Sequence, residues 1–237
     1  MFTVKKKVAG ENNKEYSYRI LKDAIMSLEL KPGQAISEAE LAIKLQISRT
    51  PIREVMAKLR EEHLVEVRPQ VGTYVSKINP LLIEEAAFMR YALEREVLKL
   101  SCEEFPEEGL YELKKIVSLQ ERLSEKGGSA LEFHELDKQF HKTIYQGNQK
   151  ENVWEAIMRL STHYNRIRLL DEMEHSFKTA IQQHREIIEK IETKNLKKID
   201  ECIRQHILKP TQQWAVLYSE TSPYVDYFDF AYKMPVF

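Results

Sequence analysis

Four side chains in the second half of the chain are of the kinds that hold a transition metal. Asp137 and His141 stand four residues apart in LDKQFHK, so a helix puts both on one face, within reach of a common ion. His184 (QQHRE) and His206 (RQHI) fall on two further helical stretches, each flanked by apolar positions. Imidazole nitrogens with one carboxylate suit Zn, Ni, Mn or Fe in the divalent state, and leave positions for water or a ligand's carboxylate. Spacing alone does not decide the matter: i, i+4 pairs arise by chance, and a lone helical histidine is more often a hydrogen-bonded core or surface residue. A second constellation lies in SRTPIRE. Arg49 and Arg53 share one helical face opposite Ile52, Val55, Met56 and Leu59. The arginine fork fits guanine O6 and N7, and Thr50 with the free N–H groups of a helix start suits a phosphate oxygen. Gly72 lets a backbone approach DNA with no Cβ in the way. The alternative is a solvated charged face with Glu54 and Glu61 as partners.

Both sets need a scaffold. An amphipathic helix is expected over ~14–29, ended by Lys31-Pro32-Gly33. Ser37-Glu38-Ala39-Glu40 has the form of a capping box opening a short second helix, and Ser48 can cap a third whose Pro51 falls harmlessly in the first turn. Leu64–Val67 and Thr73–Val75 read as strands around the turn Pro69–Gly72. Helix–turn–helix followed by a hairpin is the winged-helix order. Beyond a linker at Ile78-Asn79-Pro80, six helices are expected near 81–103, 107–125, 129–146, 149–170, 174–194 and 195–219. The fold class is therefore mainly α: an N-terminal winged helix-turn-helix domain (1–78), an antiparallel six-helix bundle (79–220) and an aromatic tail (221–237). The last twenty residues hold seven of the chain's 22 aromatics, too many to leave exposed.

Composition narrows the class. With 237 residues the chain can bury one large or two modest cores. Residues 1–80 carry 14 basic and 10 acidic side chains and the remainder 22 and 27, a polarity that suits a polyanion-binding first third. No stretch approaches the ~20 apolar residues of a membrane span. The basic N-terminus lacks the apolar core of a secretory signal, and Cys102 and Cys202 have no CxxC partner. A cytoplasmic protein with no membrane partner and no disulfide is expected.

Residues 16–77, above all LKPG, SEAELA, SRTPIRE and the wing glycine, resemble the N-terminal domain of the GntR family of bacterial transcription regulators. The resemblance implies a homodimer reading a short palindrome in double-stranded operator DNA, with Arg49, Thr50 and Arg53 as recognition-helix contacts and Gly72 in the wing. Some relatives in the FadR-like branch carry an arginine where this chain has Ala39, so that contact has no side chain to make it. Residues ~84–210 resemble that branch's ligand-binding (FCD-type) domain through MRYALEREVLKL, LDKQFHKTIYQGNQKENV and FKTAIQQHREIIEKIETKNLKKIDECIRQHI. Many members hold a divalent metal with an Asp and three His at the places of Asp137, His141, His184 and His206. His134, His163 and His175 match no such role, and surface or capping duty is expected of them. Arg90 matches an arginine that in such domains faces the pocket and pairs with an effector's carboxylate; the alternative is a salt bridge with Glu94 one turn on. On the expected fourth helix Trp154, Ile157, Ser161, Asn165 and Arg168 share a face, whose polar members could line the same pocket.

The expected function is a ligand-responsive transcription regulator, a repressor of a metabolic operon, sensing a small organic acid at a divalent-metal site. The rival from another class is a metal-dependent hydrolase or lyase fused to a DNA-targeting module. It lacks a placed general base, since Glu135 should point away from Asp137, and the chain has no nucleophile elbow, P-loop or HExxH motif. A third reading makes the metal purely structural, or the signal itself.

Overall fold

A computed structural model of the chain describes residues 2–231. It is mainly helical with one small sheet, and divides into two compact units: one runs to Leu81 and takes in the segment from Tyr218, the other spans Leu82–Leu217.

The first unit is a winged helix-turn-helix. Helix α1 (Asn13–Met26) opens on a complete capping box, Asn12 accepting from the Glu15 N–H while Glu15 returns the bond. It ends earlier than the periodicity suggests, because Leu28 takes a left-handed conformation at φ 63°. Strand β1 (Ala35–Ile36), α2 (Glu38–Leu45) and α3 (Arg49–Glu61) follow. Ser37 caps α2 at 3.3 Å, whereas Ser48 adopts the extended N-cap conformation without a side-chain bond. Strands β2 (Val65–Arg68) and β3 (Gly72–Val75) form the wing. β1 adds to the outer edge of β3, giving the antiparallel order β1-β3-β2. Two residues carry no periodicity, which is why the sequence reading contains two strands and not three. The core is Ile20, Leu21, Ile25, Ile52, Val55 and Leu59, all at most 1% exposed, so α1 and α3 present their apolar faces to one another.

The aromatic tail belongs to this unit as well. Ile78 and Phe228 form a parallel bridge, with Ile78 donating to the Tyr227 carbonyl (2.7 Å) and Asp229 to that of Ile78 (3.0 Å). Phe228 is wholly buried, with the Tyr218 ring edge-on at 5.3 Å. The expected covering of the tail aromatics is thus only partial up to Ala231: Phe228 is buried at the linker, Tyr224 and Tyr227 are half-buried and Phe230 is exposed; Tyr232–Phe237 lie outside the described residues.

The second unit is a helical bundle: α4 (Pro80–Glu103), α5 (Glu107–Glu125), α6 (Ala130–Gly147), α7 (Glu151–Leu160), α8 (Thr162–Glu174), α9 (Lys178–Glu192) and an irregular final segment. The fourth expected helix is interrupted at Ser161, which separates α7 from α8, and the break expected near Asp171 falls at His175–Phe177. The final segment is less regular still. A 3₁₀ turn (Leu196–Lys198) leads to α10 (Ile199–Ile203), a π-helical turn (Arg204–Leu208), α11 (Lys209–Gln213) and a 3₁₀ turn (Trp214–Tyr218). Pro210 explains the widened turn: it lacks the N–H that would bond to the His206 carbonyl, and its ring crowds that carbonyl. Cys102 and Cys202 are free thiols.

Candidate functional site

The metal-ligand candidates come together inside the second unit. Asp137 and His141 project from α6, fixed by a full capping box at Ser129 and Glu132, with Phe133, Phe140 and Ile144 in the same buried face. His184 comes from α9 and His206 from the π turn that Pro210 imposes. All four are buried, and one ligand atom from each lies within 4.8 Å of the others. Ligand bonds of about 2.1 Å to one ion span up to roughly 4.2 Å, so small shifts close the set.

The surroundings orient each ring. His141 Nδ1 donates to Glu94 Oε2 at 2.7 Å, His184 Nδ1 to Gln120 Oε1 at 2.8 Å, and His206 Nδ1 to Gln183 Oε1 at 2.9 Å. Each acceptor oxygen can only accept, so each Nδ1 carries a proton, and in the neutral ring each Nε2 lone pair turns to the shared interior. The Nε2 atoms of His141 and His206 then face each other at 3.0 Å. Two lone pairs at that distance repel unless a proton or a metal ion sits between them. His184 Nε2 and Asp137 Oδ2 have no hydrogen-bond partner, while Asp137 Oδ1 meets the Arg168 guanidinium and lies 3.2 Å from His184 Nε2. Buried polar atoms are rarely left so. The residues present therefore fit a divalent transition metal.

Electrostatics prepare the same state. Burial pushes the imidazoles of His184 and His206 below their ordinary pKa, and for His206 the neighbouring His184 and His141 add to the effect. Burial alone would raise Asp137, but the Arg168 guanidinium, His141 and His184 hold it well below the usual carboxylate range. Neutral imidazoles and an ionised carboxylate are the forms that bind metal. Glu94, despite a burial penalty, is held at about 2 by Arg90 and His141.

The four effector candidates separate. Arg168 contacts Asp137 and also pairs with Glu172 at 3.2 Å, and Glu172 accepts from buried His134 at 2.7 Å. It borders a cavity of about 90 Å³ that also touches His206, Tyr164, Gln183, Gln213 and Trp214. Arg90 forms the buried salt bridge with Glu94 (2.7 Å), yet its Nη2 stays unpartnered. Ser161 and Asn165 are buried too, the Ser161 hydroxyl without a partner. Arg90, Ser161 and Asn165 are not among the described residues that line the cavity. His134 and His163 are buried, not surface residues as the sequence suggested; only His175 is exposed, bonding back to Asp171 at the end of α8. Sequence reasoning missed Glu94, Gln120 and Gln183 as orienting groups. Gln183 beside His184 was a visible signal, but the Gln120 contact is made only by tertiary packing of α5 on α9.

In the first unit Arg49, Thr50 and Arg53 lie exposed along the first two turns of α3. Arg53 pairs with Glu38 of α2 at 3.0 Å, while Glu54 pairs with Lys14 of α1. Gly72 closes the wing at φ +151°, a conformation open chiefly to glycine. Arg68 stacks over the Tyr74 ring at 4.4 Å on the same hairpin, a candidate contact that the sequence reading omitted.

Comparison with known proteins agrees with both units. The family described as bacterial regulatory proteins, gntR family, matches residues 14–75, and the FCD domain matches residues 85–209. An uncharacterised HTH-type transcriptional regulator in an unstable DNA locus of Streptomyces ambofaciens is 33% identical over 84% of this chain and 83% of its own length. The HTH-type transcriptional repressor RspR of Escherichia coli is 28% identical over 86% and 90%. Among solved structures, E. coli McbR/YncC superposes with a TM-score of 0.74 at 20% identity, covering 88% of this chain and 100% of that one, which establishes the shared fold.

Proposed function

The chain belongs to the GntR family of bacterial transcription regulators and carries an FCD domain, and from that premise we propose that it is a dimeric, operator-binding repressor that senses a small carboxylate at a divalent transition metal. It is a DNA-binding regulator and not an enzyme; its relatives are HTH-type regulators, and the hydrolase or lyase alternative finds no support among them. Residues 1–78 would bind operator DNA, 79–220 sense and dimerise, and 221–237 form the tail. The regulator would act in the cytoplasm.

The observation that carries the sensing reading is the convergence of three Nδ1-anchored imidazoles on Asp137, with the Nε2 atoms of His141 and His206 3.0 Å apart. Asp137, His141, His184 and His206 would hold the metal, and the metal would offer a carboxylate its open positions. Arg168 and His206 both border the cavity, so an acid entering there meets a guanidinium and the metal's rim together. Arg90, Ser161 and Asn165 would serve deeper, through the unpartnered Arg90 Nη2 and Ser161 hydroxyl. On the DNA, Arg49 and Arg53 would read base edges, Thr50 would bind phosphate and Gly72 would let the wing backbone approach.

An effector acts by differing in affinity for the two states of the regulator. Operator affinity measured by fluorescence anisotropy, with metal loaded and a panel of small mono-, di- and tricarboxylates added, tests this. A shift of tenfold or more with one acid, abolished by chelator and by Arg168→Ala, is expected. No shift with any acid, but a shift on metal removal alone, would make the metal itself the signal.

A further inference from the structure

The segment before α1 carries three consecutive lysines, Lys5, Lys6 and Lys7, all exposed, that the recognition-helix and wing reading does not use. This segment is fastened. Phe2 is buried in the core of the first unit, its ring 3.6 Å below the Lys44 ammonium, and Lys44 donates to the Phe2 carbonyl at 2.7 Å. The Thr3 N–H bonds to Glu29, and Lys7 donates to Asn13 Oδ1 at 2.9 Å. From Lys44 at the end of α2 the arm therefore runs back along α1, past Asp23, which pairs with Lys5, and Arg19, which donates to the Lys6 carbonyl, to Asn13 at its start.

That path skirts the start of the recognition helix. Asn13 shares an open concavity with Ala39, Ala42 and Ile43 of α2 and with Ser48 and Arg49 at the head of α3. In a helix-turn-helix the helix before the recognition helix crosses the DNA backbone. Lys7, bonded to Asn13, therefore stands beside the head of α3, at the backbone flanking the groove that this helix would enter. The acidic groups near the arm are already engaged: Asp23 by Lys5 (3.1 Å), Glu11 by Arg19 (2.7 Å) and Glu29 by the Thr3 N–H. Among the described residues Lys6 and Lys7 form no salt bridge, and Lys7 acts on Glu11 only through its field.

We infer that residues 2–7 form a second DNA-contacting element, a pinned arm whose Lys6 and Lys7 bind backbone phosphates beside the half-site read by α3. The contact is independent of base sequence. It rests on DNA binding by this unit but not on the metal or effector reading. Pinning by Phe2 and Lys44 reduces the ordering entropy that a free lysine tail would lose on binding.

The test is salt dependence in the full chain. Each phosphate contact contributes about 0.9 to the slope of log affinity against log salt, so two lysines contribute about 1.8 per chain. Between 50 and 200 mM salt, wild-type affinity then falls about twelvefold more per arm than that of Lys6→Gln/Lys7→Gln. The probes are a 30-base-pair duplex selected by the protein from a random pool and an unrelated duplex of equal length. Both substitutions are on exposed side chains, and an unchanged melting temperature confirms folding. A shallower slope on both duplexes, with unchanged base preference, supports the arm. Phe2→Ala keeps the charge but frees the arm, and should weaken binding with the slope retained. An unchanged slope in the lysine variant overturns the proposal, as does a loss confined to the selected duplex, which would mean base reading. Arg49→Ala in the same series separates the failures: if it and wild type bind both duplexes equally, the premise of DNA reading by α3 has failed, not the arm alone.

Discussion

Replacing Gln120 by leucine separates metal binding from fold stability, because this side chain touches the centre only through His184. Gln120 is fully buried on α5, its Oε1 accepts the His184 Nδ1–H at 2.8 Å, and its own Nε2 has no partner. Leucine removes the acceptor and leaves Nδ1–H unpaired, at about 1–3 kcal/mol, but it also removes the stranded amide N–H groups, a gain of similar size. The metal-free protein should keep its stability to within about 1 kcal/mol by this offset. Metal affinity has no such offset. Without the acceptor the His184 proton can move to Nε2, the atom that must donate its lone pair. Loss of an outer hydrogen bond of this kind weakens binding about 10–100-fold, or roughly 1.4–2.8 kcal/mol. Gln120→Glu restores an acceptor and should recover most of the affinity. The assay is zinc competition against a chromophoric chelator at pH 7.5, beside urea unfolding in excess chelator. Unchanged zinc affinity in Gln120→Leu would refute the argument that Nδ1 anchoring presents Nε2 to the ion. So would equal losses in both assays, which would make Gln120 a packing residue only.

Three further outcomes follow from the same geometry. In metal-free protein, unfolded histidines take up protons below about pH 6.5 while buried His184 and His206, with lowered pKa, do not. Stability should therefore be full above that pH and fall as pH drops toward the folded pKa values, by up to about 2.7 kcal/mol per pH unit for the two groups; urea midpoints at pH 7.5, 6.0 and 5.0 check the sign, and a flat series contradicts it. Arg49→Ala should cost about 1–3 kcal/mol of operator affinity and relax preference at one base-pair position, read by binding to a panel of single-substituted operators. Phe228→Ala should destabilise the first unit by about 3–5 kcal/mol if its buried ring anchors the tail at Ile78, whereas a change below about 1 kcal/mol would show the tail to be undocked.

How much of this was legible in the residues depends on how local the cause is. The helix-turn-helix was legible, because Ser37, Pro51 and the apolar spacing of Ile52, Val55, Met56 and Leu59 act within a turn or two of chain. β1 was not, since a two-residue strand exists only through its pairing with β3. Asp137 and His141 could be placed on one face from their spacing. Their meeting with His184 and His206 rested on family resemblance, as helix period says nothing about which helices face each other. The widened turn at His206 had a local signal in Pro210 that periodicity passes over. Arg90 was left between a salt bridge and a pocket role, and the structure contains the bridge to Glu94 together with a free Nη2, so the two readings were never exclusive. The aromatic density of the tail suggested cover, which Phe228 has and Phe230 does not, and the residue that Phe228 bridges to, Ile78, lies 150 residues away in sequence.

The central claim is that Asp137, His141, His184 and His206 form one metal centre. Elemental analysis of protein purified without a histidine tag or chelator, beside a His184→Ala variant, tests it most directly. The account predicts about one transition metal per chain in the wild type and its loss in a folded variant. Metal-free wild-type protein that takes none up on titration with zinc, nickel, manganese or iron would contradict it, leaving the regulator's DNA-binding unit intact and its bundle a pocket of another chemistry.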